Sequence, residues 1–207
     1  MHTEILTPEQ LELVKLIREF AKDYYLVGGT ALALQLGHRR SIDFDLFTKN
    51  HFSNDKIIEI ISKHYPVEIT HVNQADQLTL VTHGVKMTWY RYEYDLPVTK
   101  WWEEIIGMPD MLTIACMKAF TLGRRAKWKD YVDMYFLFKQ FSLKTVCERT
   151  TKLYGKGLFD EVLLRGQLSY FEDIDYHEQI NYMPGFAVSI AKVQQTLLEL
   201  ASTEQGQ

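Results

Sequence analysis

The stretch that decides the fold of this chain reads LVGGT over residues 26–30 and SIDFDLF over residues 41–47. The first segment is a short apolar run closed by Gly28 and Gly29, which predicts a buried strand followed by a turn. Residues 30–36 then predict a short helix. The second segment alternates apolar and polar residues, as a strand with one buried face does.

The alternation in the second segment separates two sets of side chains. Successive side chains of a strand point to opposite faces, so Asp43 and Asp45 share one face with Ser41. The opposite face, which we expect to enter the core, carries Ile42, Phe44 and Leu46. Two carboxylates this close repel each other unless a cation lies between them. Mg²⁺ binds hard oxygen ligands, commonly one or two carboxylates with substrate phosphates, so we predict an Mg²⁺ (or Mn²⁺) site on this aspartate pair.

The diglycine is suited to binding an anion. Glycine allows backbone N–H groups to approach a ligand closely, and a helix N-terminus adds the positive end of its dipole. Together they form a cradle for a triphosphate, to which the hydroxyls of Thr30 and Ser41 can donate. Each part alone has a plainer interpretation: a Gly-Gly pair is usually a turn, and Asp-x-Asp is usually a solvated strand face. The combination of the two parts is much more specific.

That combination resembles the signature of the DNA polymerase β-type nucleotidyltransferase superfamily. Its closer form here, Gly-Gly-Thr-Ala-Leu followed by Arg-x-Ser-x-Asp-x-Asp-Leu-Phe, resembles the AbiEii-like toxin family of bacterial toxin–antitoxin systems. The resemblance implies that Gly28, Gly29 and Ser41 hold the triphosphate of an NTP. It also implies that Asp43 and Asp45 hold the metal ions.

A second segment supports the same resemblance, because AbiEii-like proteins carry a lysine, an arginine-rich turn and then Lys-Asp-x-x-Asp. In this chain these positions are Lys118, Arg124 and the run from Lys129 to Asp133. Residues 128–138 are apolar almost all round, which predicts a buried helix, and its carboxylates Asp130 and Asp133 then need partners.

Two interpretations of this segment stay open. The structural one is an ion pair that closes the two domains. The functional one is that Lys118 neutralises the phosphates, with Arg124 also binding the nucleotide, while Asp130 positions Lys118 or the acceptor. We therefore count Lys118 and Asp130, with Asp43 and Asp45, as candidate catalytic residues.

One expected feature is absent from the sequence pattern. The superfamily usually takes a third carboxylate from a later strand, where it activates the acceptor hydroxyl. The corresponding position holds Thr88, and none of Asp76, Glu93 and Asp95 fits convincingly. Either one of these carboxylates substitutes, or the base lies elsewhere in the chain, or activity is reduced or lost. The alternative to an enzyme is therefore a catalytically weak or inactive nucleotide-binding protein that retains the fold.

The order of predicted elements indicates an α+β fold. Strands concentrate in residues 1–108, which we interpret as a nucleotidyltransferase core with a small mixed β-sheet and helices. Helices follow in residues 109–207, a helical C-terminal domain expected to complete the active-site cleft. Thr7 and Gln10 predict a capping box at the start of the first helix, and His83-Gly84 predicts a tight hairpin. Candidate helix caps are Asp110, Ser142 and Asp173, and Pro184 is a candidate start for the last helix.

Composition limits the class of protein. The formal net charge is −4, so a broad basic face for nucleic acid is excluded, and any such contact must be local. Two cysteines without a CxxC spacing favour a reduced protein without a disulfide framework or zinc site. No apolar run is long enough to span a membrane, and no signal-peptide pattern opens the chain, so we expect a cytoplasmic protein.

These features together predict a metal-dependent nucleotidyltransferase that moves a nucleoside monophosphate from an NTP to an acceptor. The acceptor is an RNA, such as a tRNA, or a protein hydroxyl, and only the family resemblance favours RNA. The resemblance also implies a toxin with a cognate antitoxin protein as its partner.

Overall fold

The computed structural model describes residues 1–122 and 127–203 of the chain. The chain divides into two compact units, Met1–Asp110 and Met111–Gln207. The first unit contains all seven strands that the described residues form, and the second contains only helices as regular elements. The predicted α+β class is therefore confirmed.

The first unit alternates short helices with strands. Its elements are a 3-10 turn (Thr3–Ile5), α1 (Pro8–Glu12), α2 (Val14–Phe20), β1 (Tyr25–Val27), α3 (Gly28–Leu36), β2 (Phe44–Thr48), α4 (Asn54–Ser62), β3 (Val67–Gln74), β4 (Gln77–Thr82), β5 (Val85–Arg91), β6 (Val98–Trp102) and β7 (Ile106–Pro109). The main sheet has the order β1-β2-β5-β4-β3, and a separate two-stranded sheet pairs β6 with β7. Strand β2 runs antiparallel to β1 and parallel to β5, so the sheet is mixed as predicted.

Over β1, β2, β4 and β5 the main sheet has one buried face and one half-buried face, whereas the edge strand β3 has no buried residue. The buried face carries Leu26, Phe44, Leu46, Leu78, Leu80, Met87 and Trp89. Helix α2 packs on this side, where the ring of Phe20 lies 5.2 Å from that of Trp89. Burial alternates along β2, β4 and β5, so the intervening residues form the second face and remain only partly covered. Asp45 lies on this second face.

Several local predictions for the first unit are confirmed. Thr7 and Gln10 form a complete capping box at α1, and His83 and Gly84 both have positive φ in the β4–β5 hairpin. One prediction is wrong: Ile42 is 55% exposed rather than in the core. The reason is that β2 begins only at Phe44, so alternation does not extend back to residues 41–43.

The second unit is helical. Its helices are α5 (Met111–Thr121), α6 (Trp128–Leu137), α7 (Leu143–Tyr154), α8 (Glu161–Ser169) and α9 (Ile190–Ser202). Ser142 caps α7 as predicted, by accepting a hydrogen bond from the Thr145 N–H. Asp173 caps no helix within the described part of the chain, and Pro184 does not open the last one. Gly185 has a φ of +85°, which forms a turn after Pro184 and is incompatible with a right-handed helix.

The two cysteines lie inside this second unit. Cys116 and Cys147 are both free and buried, as expected for a protein without a disulfide framework. Burial raises the pKa of the Cys147 thiol to about 12, so it stays protonated at neutral pH and is a poor nucleophile.

Within residues 1–122 and 127–203, no helix is both long and apolar enough to cross a membrane.

Candidate active site

The carboxylate of Asp45 lies against the backbone of the diglycine turn. Strand pairing puts Val27 opposite Asp45, and Gly28 follows Val27 directly. A Cβ atom added at Gly28 would lie 2.3 Å from Asp45 Oδ2, far inside van der Waals contact. Gly28 also has a φ of +72°, a conformation that side-chain-bearing residues rarely adopt. Only glycine therefore allows this approach.

Gly29 allows a second close contact. A Cβ atom there would lie 2.7 Å from Arg39 Nη2 and 2.8 Å from Ser41 Oγ. A guanidinium and a hydroxyl thus lie directly over the first turn of α3, where N–H groups of a helix start lack intrahelical partners. This arrangement of donors suits phosphate oxygens. Arg39 belongs to the quoted Arg-x-Ser pattern, but sequence reasoning did not assign it a site role.

The segment that leads into β2 is held by two buried polar side chains. The Thr30 hydroxyl donates to the carbonyl oxygen of Asp43 and lies 3.4 Å from that of Ser41. Gln10 Nε2 donates to the Ser41 carbonyl oxygen at 3.0 Å. A hydroxyl has one hydrogen to donate, and Thr30 directs its hydrogen to the protein backbone. In this geometry, Thr30 positions Ser41 and Asp43 and does not point a donor at solvent.

Asp43 is bound by a cation from the protein itself. Lys86 Nζ lies 2.7 Å from Asp43 Oδ2, and both side chains are partly exposed. Lys86 lies on β5, where Met87 pairs with Phe44 in the register of the parallel strands. Sequence reasoning missed this lysine, because the contact depends on β5 pairing directly with β2.

The same register defines the position of Thr88, which pairs with Asp45. Its hydroxyl lies 3.4 Å from that of Thr79 on the neighbouring strand β4. Of the other carboxylates considered, Asp95 pairs with Lys49, while Asp76 lies 2.7 Å from the His51 ring. No group of three histidine, cysteine or acidic side chains that could hold a metal occurs among the residues the structure describes. The aspartate pair therefore has threonine, not carboxylate, as its neighbour on β5.

The residues present fit a divalent cation in their donor chemistry. Asp43 and Asp45 supply hard carboxylate oxygens two residues apart, and both residues are only partly buried. The contact with the Lys86 ammonium shows that the Asp43 carboxylate already binds a cationic group. Asp43 and Asp45 would hold the metal, and the metal would screen their repulsion and the charge of a triphosphate.

The second unit holds the other predicted residues in a buried ion network. Lys118 Nζ lies 2.8 Å from Asp130 Oδ1 and 2.7 Å from Asp133 Oδ2. All three residues are at most 5% exposed. Helices α5 and α6, which carry these three residues, both belong to the second unit. Arg124 lies outside the described residues.

Comparison with known proteins identifies the family. The model for the nucleotidyl transferase AbiEii toxin of a type IV toxin–antitoxin system matches residues 13–97, which include the diglycine, both aspartates and Thr88. An uncharacterized Aquifex aeolicus protein is 33% identical over 157 residues, covering 73% of this chain and 75% of that protein. The chain belongs to the AbiEii nucleotidyltransferase family. The resemblance drawn from the sequence motifs is confirmed.

Solved structures agree with this AbiEii assignment at the level of fold. MenT4, a nucleotidyltransferase toxin of Mycobacterium tuberculosis, aligns with a TM-score of 0.57 at 12% identity, over 94% of this chain and 82% of its own. JHP933 from Helicobacter pylori aligns with a TM-score of 0.50 at 18% identity, over 95% and 91% of the two chains. At these identities the likeness concerns the fold alone.

Gly28→Ala tests the close contact in this AbiEii family member. Gly84→Ala is a matched control, because Gly84 has a nearly identical φ of +69° but no neighbour within 4 Å of an added Cβ. Both variants lose about 1–2 kcal/mol from the left-handed backbone alone. Only Gly28→Ala displaces the Asp45 carboxylate, so only it is expected to lose Mg²⁺-dependent NTP binding in calorimetric titration. Wild-type affinity in folded Gly28→Ala would contradict the assignment.

Lys118→Met tests the buried network. The change leaves two carboxylates buried without their cation, and we expect the free energy of unfolding to fall by about 3–5 kcal/mol in denaturant titration. Lys63→Met is the matched control, because Lys63 forms an exposed pair with Glu59 at 3.2 Å, and about 0.5 kcal/mol or less is expected there. Equal stability of the two variants would remove the structural role of Lys118.

Proposed function

We propose that this protein transfers a nucleoside monophosphate from an NTP to an acceptor hydroxyl, with Mg²⁺ or Mn²⁺ bound by Asp43 and Asp45. The observation that carries the proposal is the contact of the Asp45 carboxylate with Gly28, which joins the candidate metal ligands to the candidate phosphate cradle. An aspartate on a solvated strand face would not by itself require a diglycine turn next to it. An ordinary diglycine turn would likewise not require an aspartate.

In the proposed reaction, the oxygen of the acceptor hydroxyl forms a bond to the α-phosphorus, the bond to pyrophosphate breaks, and the hydroxyl proton passes to solvent. The N–H groups of Gly28 and Gly29, with Ser41 and Arg39, hold the β- and γ-phosphates, so that the α-phosphorus is oriented for in-line attack. Thr30 holds the backbone carbonyl of Asp43 by donating a hydrogen bond to it. The bound metal would lower the charge on the leaving pyrophosphate. Direct roles of Lys118, Asp130 and Arg124 toward the nucleotide stay predictions of the sequence.

We propose RNA as the acceptor, and an aromatic cluster beside the aspartates supports it. Phe47 and Tyr90 pair in the strand register two residues beyond Asp45 and Thr88, on the same half-buried face. The ring of Phe47 lies 5.3 Å from those of Tyr90 and Tyr92, and Tyr90 is 37% exposed. An unpaired base of an RNA end, such as the end of a tRNA, can stack on such a surface.

The family also supports a biological role. Its description places AbiEii proteins among the toxins of toxin–antitoxin systems. We therefore propose that this protein modifies RNA as a cytoplasmic toxin and that a cognate antitoxin protein controls it. The second candidate function is nucleotide binding without turnover, and the observation that favours it is threonine at position 88, opposite Asp45.

Asp43→Asn separates the two candidates from each other and from a folding role. Labelled RNA is expected when wild-type protein is incubated with total RNA, Mg²⁺ and each labelled NTP in turn. Asp43→Asn should abolish the label and weaken Mg²⁺–NTP binding about tenfold or more, while Asp23→Asn, an exposed control in the same unit, should leave both unchanged. If Mg²⁺–NTP binding depends on Asp43 but the wild-type protein labels no RNA, the non-catalytic function is favoured.

The stability of the same variant gives the second measurement. The pair of Asp43 with Lys86 is partly exposed, so its loss costs little, and the change also relieves repulsion with Asp45. In EDTA, the free energy of unfolding should therefore stay within about 1 kcal/mol of wild type. A clearly destabilised Asp43→Asn that binds Mg²⁺–NTP normally would contradict the metal-ligand assignment.

Tyr90→Ala tests the acceptor. Stacking of one base is worth about 1–3 kcal/mol, so RNA affinity in a salt-controlled binding titration should fall roughly 5- to 150-fold while NTP affinity is retained. Trp101→Ala is the control, because Trp101 is an exposed aromatic residue of the separate two-stranded sheet. If both variants bind RNA as wild type does, a protein hydroxyl becomes the better acceptor.

A further inference from the structure

The half-buried face of the sheet differs in charge from a three-carboxylate metal site. Asp43 and Asp45 lie on β2 or directly before it, and the adjacent positions on β5 hold Lys86 and Thr88. Lys86 contacts Asp43 at 2.7 Å, while Thr88 pairs with Asp45 in the strand register. The neighbouring strand therefore brings a cation and a neutral hydroxyl to the aspartates.

The difference amounts to two unit charges. Threonine in place of a third carboxylate removes one negative charge, and the Lys86 ammonium adds one positive charge. A divalent cation also brings two positive charges. The aspartate pair with Lys86 and one divalent ion thus reaches the same net charge as three carboxylates with two divalent ions, which is the two-metal arrangement that the family resemblance implies.

We propose that Lys86 takes the place of a second metal ion, so that this site binds one divalent cation for each NTP. The inference rests on the function proposed above. An ammonium on a flexible stem has three donors, so Lys86 can keep Asp43 while donating to an oxygen of the reacting phosphate or acceptor. During the transfer, Lys86 would keep one positive charge beside Asp43. Unlike a second metal ion, it could not dissociate from the protein.

The position of the pair distinguishes this role from that of an ordinary surface ion pair. Lys86 is 42% exposed on its side chain and Asp43 is 21% exposed, so the pair contributes little to stability. What sets this pair apart is its place, because Asp43 lies two residues before Asp45 and Lys86 lies two residues before Thr88, the residue that pairs with Asp45. Lys63 and Glu59 form a comparable exposed pair on α4, and it serves as the reference for a surface role.

The number of bound Mn²⁺ ions tests the proposal directly. Electron paramagnetic resonance counts the bound Mn²⁺ ions in the presence of a saturating α,β-methylene NTP analogue. The analogue is that of the NTP that most raises the melting temperature of the protein. We expect one Mn²⁺ per wild-type chain that Asp45→Asn removes. We expect two in the double variant Lys86→Met with Thr88→Asp, with the spin-coupled spectrum of ions about 3.5–4 Å apart.

The outcomes separate this proposal from the proposed function. Two site-bound Mn²⁺ ions in wild type would overturn the role of Lys86 and leave the nucleotide site standing. If Asp45→Asn removes no bound Mn²⁺, both the role of Lys86 and the proposed nucleotide site are overturned. A folded double variant that still binds one ion would also overturn the proposal, because Lys86 and Thr88 would then not determine the number.

A single variant keeps the test decisive if the double variant does not fold. Without nucleotide, the Lys86 ammonium competes with a metal for Asp43, so Lys86→Met should bind Mn²⁺ severalfold more tightly than wild type, the size expected for a partly exposed pair. Lys63→Met should bind Mn²⁺ as wild type does. Unchanged affinity in folded Lys86→Met would contradict the competition on which the proposal depends.

Discussion

The contact between the Asp45 carboxylate and the backbone of Gly28 is the constraint on which the rest of the site depends. It requires β1 and β2 to pair so that Val27 lies opposite Asp45, and it requires a residue without a Cβ atom after Val27. In the proposed function it also links two chemistries, since the carboxylates would bind a cation and the diglycine would offer N–H groups to anionic phosphates. A triphosphate with its metal is the ligand that uses both at once.

Electrostatics then explains the neighbouring residues. Asp43 lies directly before β2 and Asp45 lies on it, and carboxylates this near in the chain repel each other if they approach. The Lys86 ammonium on the parallel strand β5 offsets the charge of Asp43. The second unit treats its charges differently, because it buries Lys118 between Asp130 and Asp133. Removing one member of a buried network is costly, whereas a partly exposed pair can open for a ligand. The pair beside the sheet therefore stays accessible to a ligand, while the buried network is suited to structural support.

The sequence predicted the parts of the site that depend on local patterns. The diglycine, the spacing of Asp43 and Asp45, the capping box at Thr7 and the hairpin at His83 follow from residue types a few positions apart. Lys86 could not be found in this way, because its contact with Asp43 depends on β5 lying beside β2, 43 positions away in the chain. Ile42 was misplaced because alternation gives no sign of where a strand begins. Pro184 suggested a helix start, but the glycine after it forms a turn.

The most direct measurement is a crystal structure with Mn²⁺ and an α,β-methylene NTP analogue, with the metal located by its anomalous scattering. The proposed function predicts Mn²⁺ about 2.1 Å from carboxylate oxygens of both Asp43 and Asp45, the distance usual for such a small divalent ion. It also predicts the triphosphate over the N–H groups of Gly28 and Gly29. A nucleotide bound elsewhere, or a metal without Asp45 among its ligands, would contradict the proposed site.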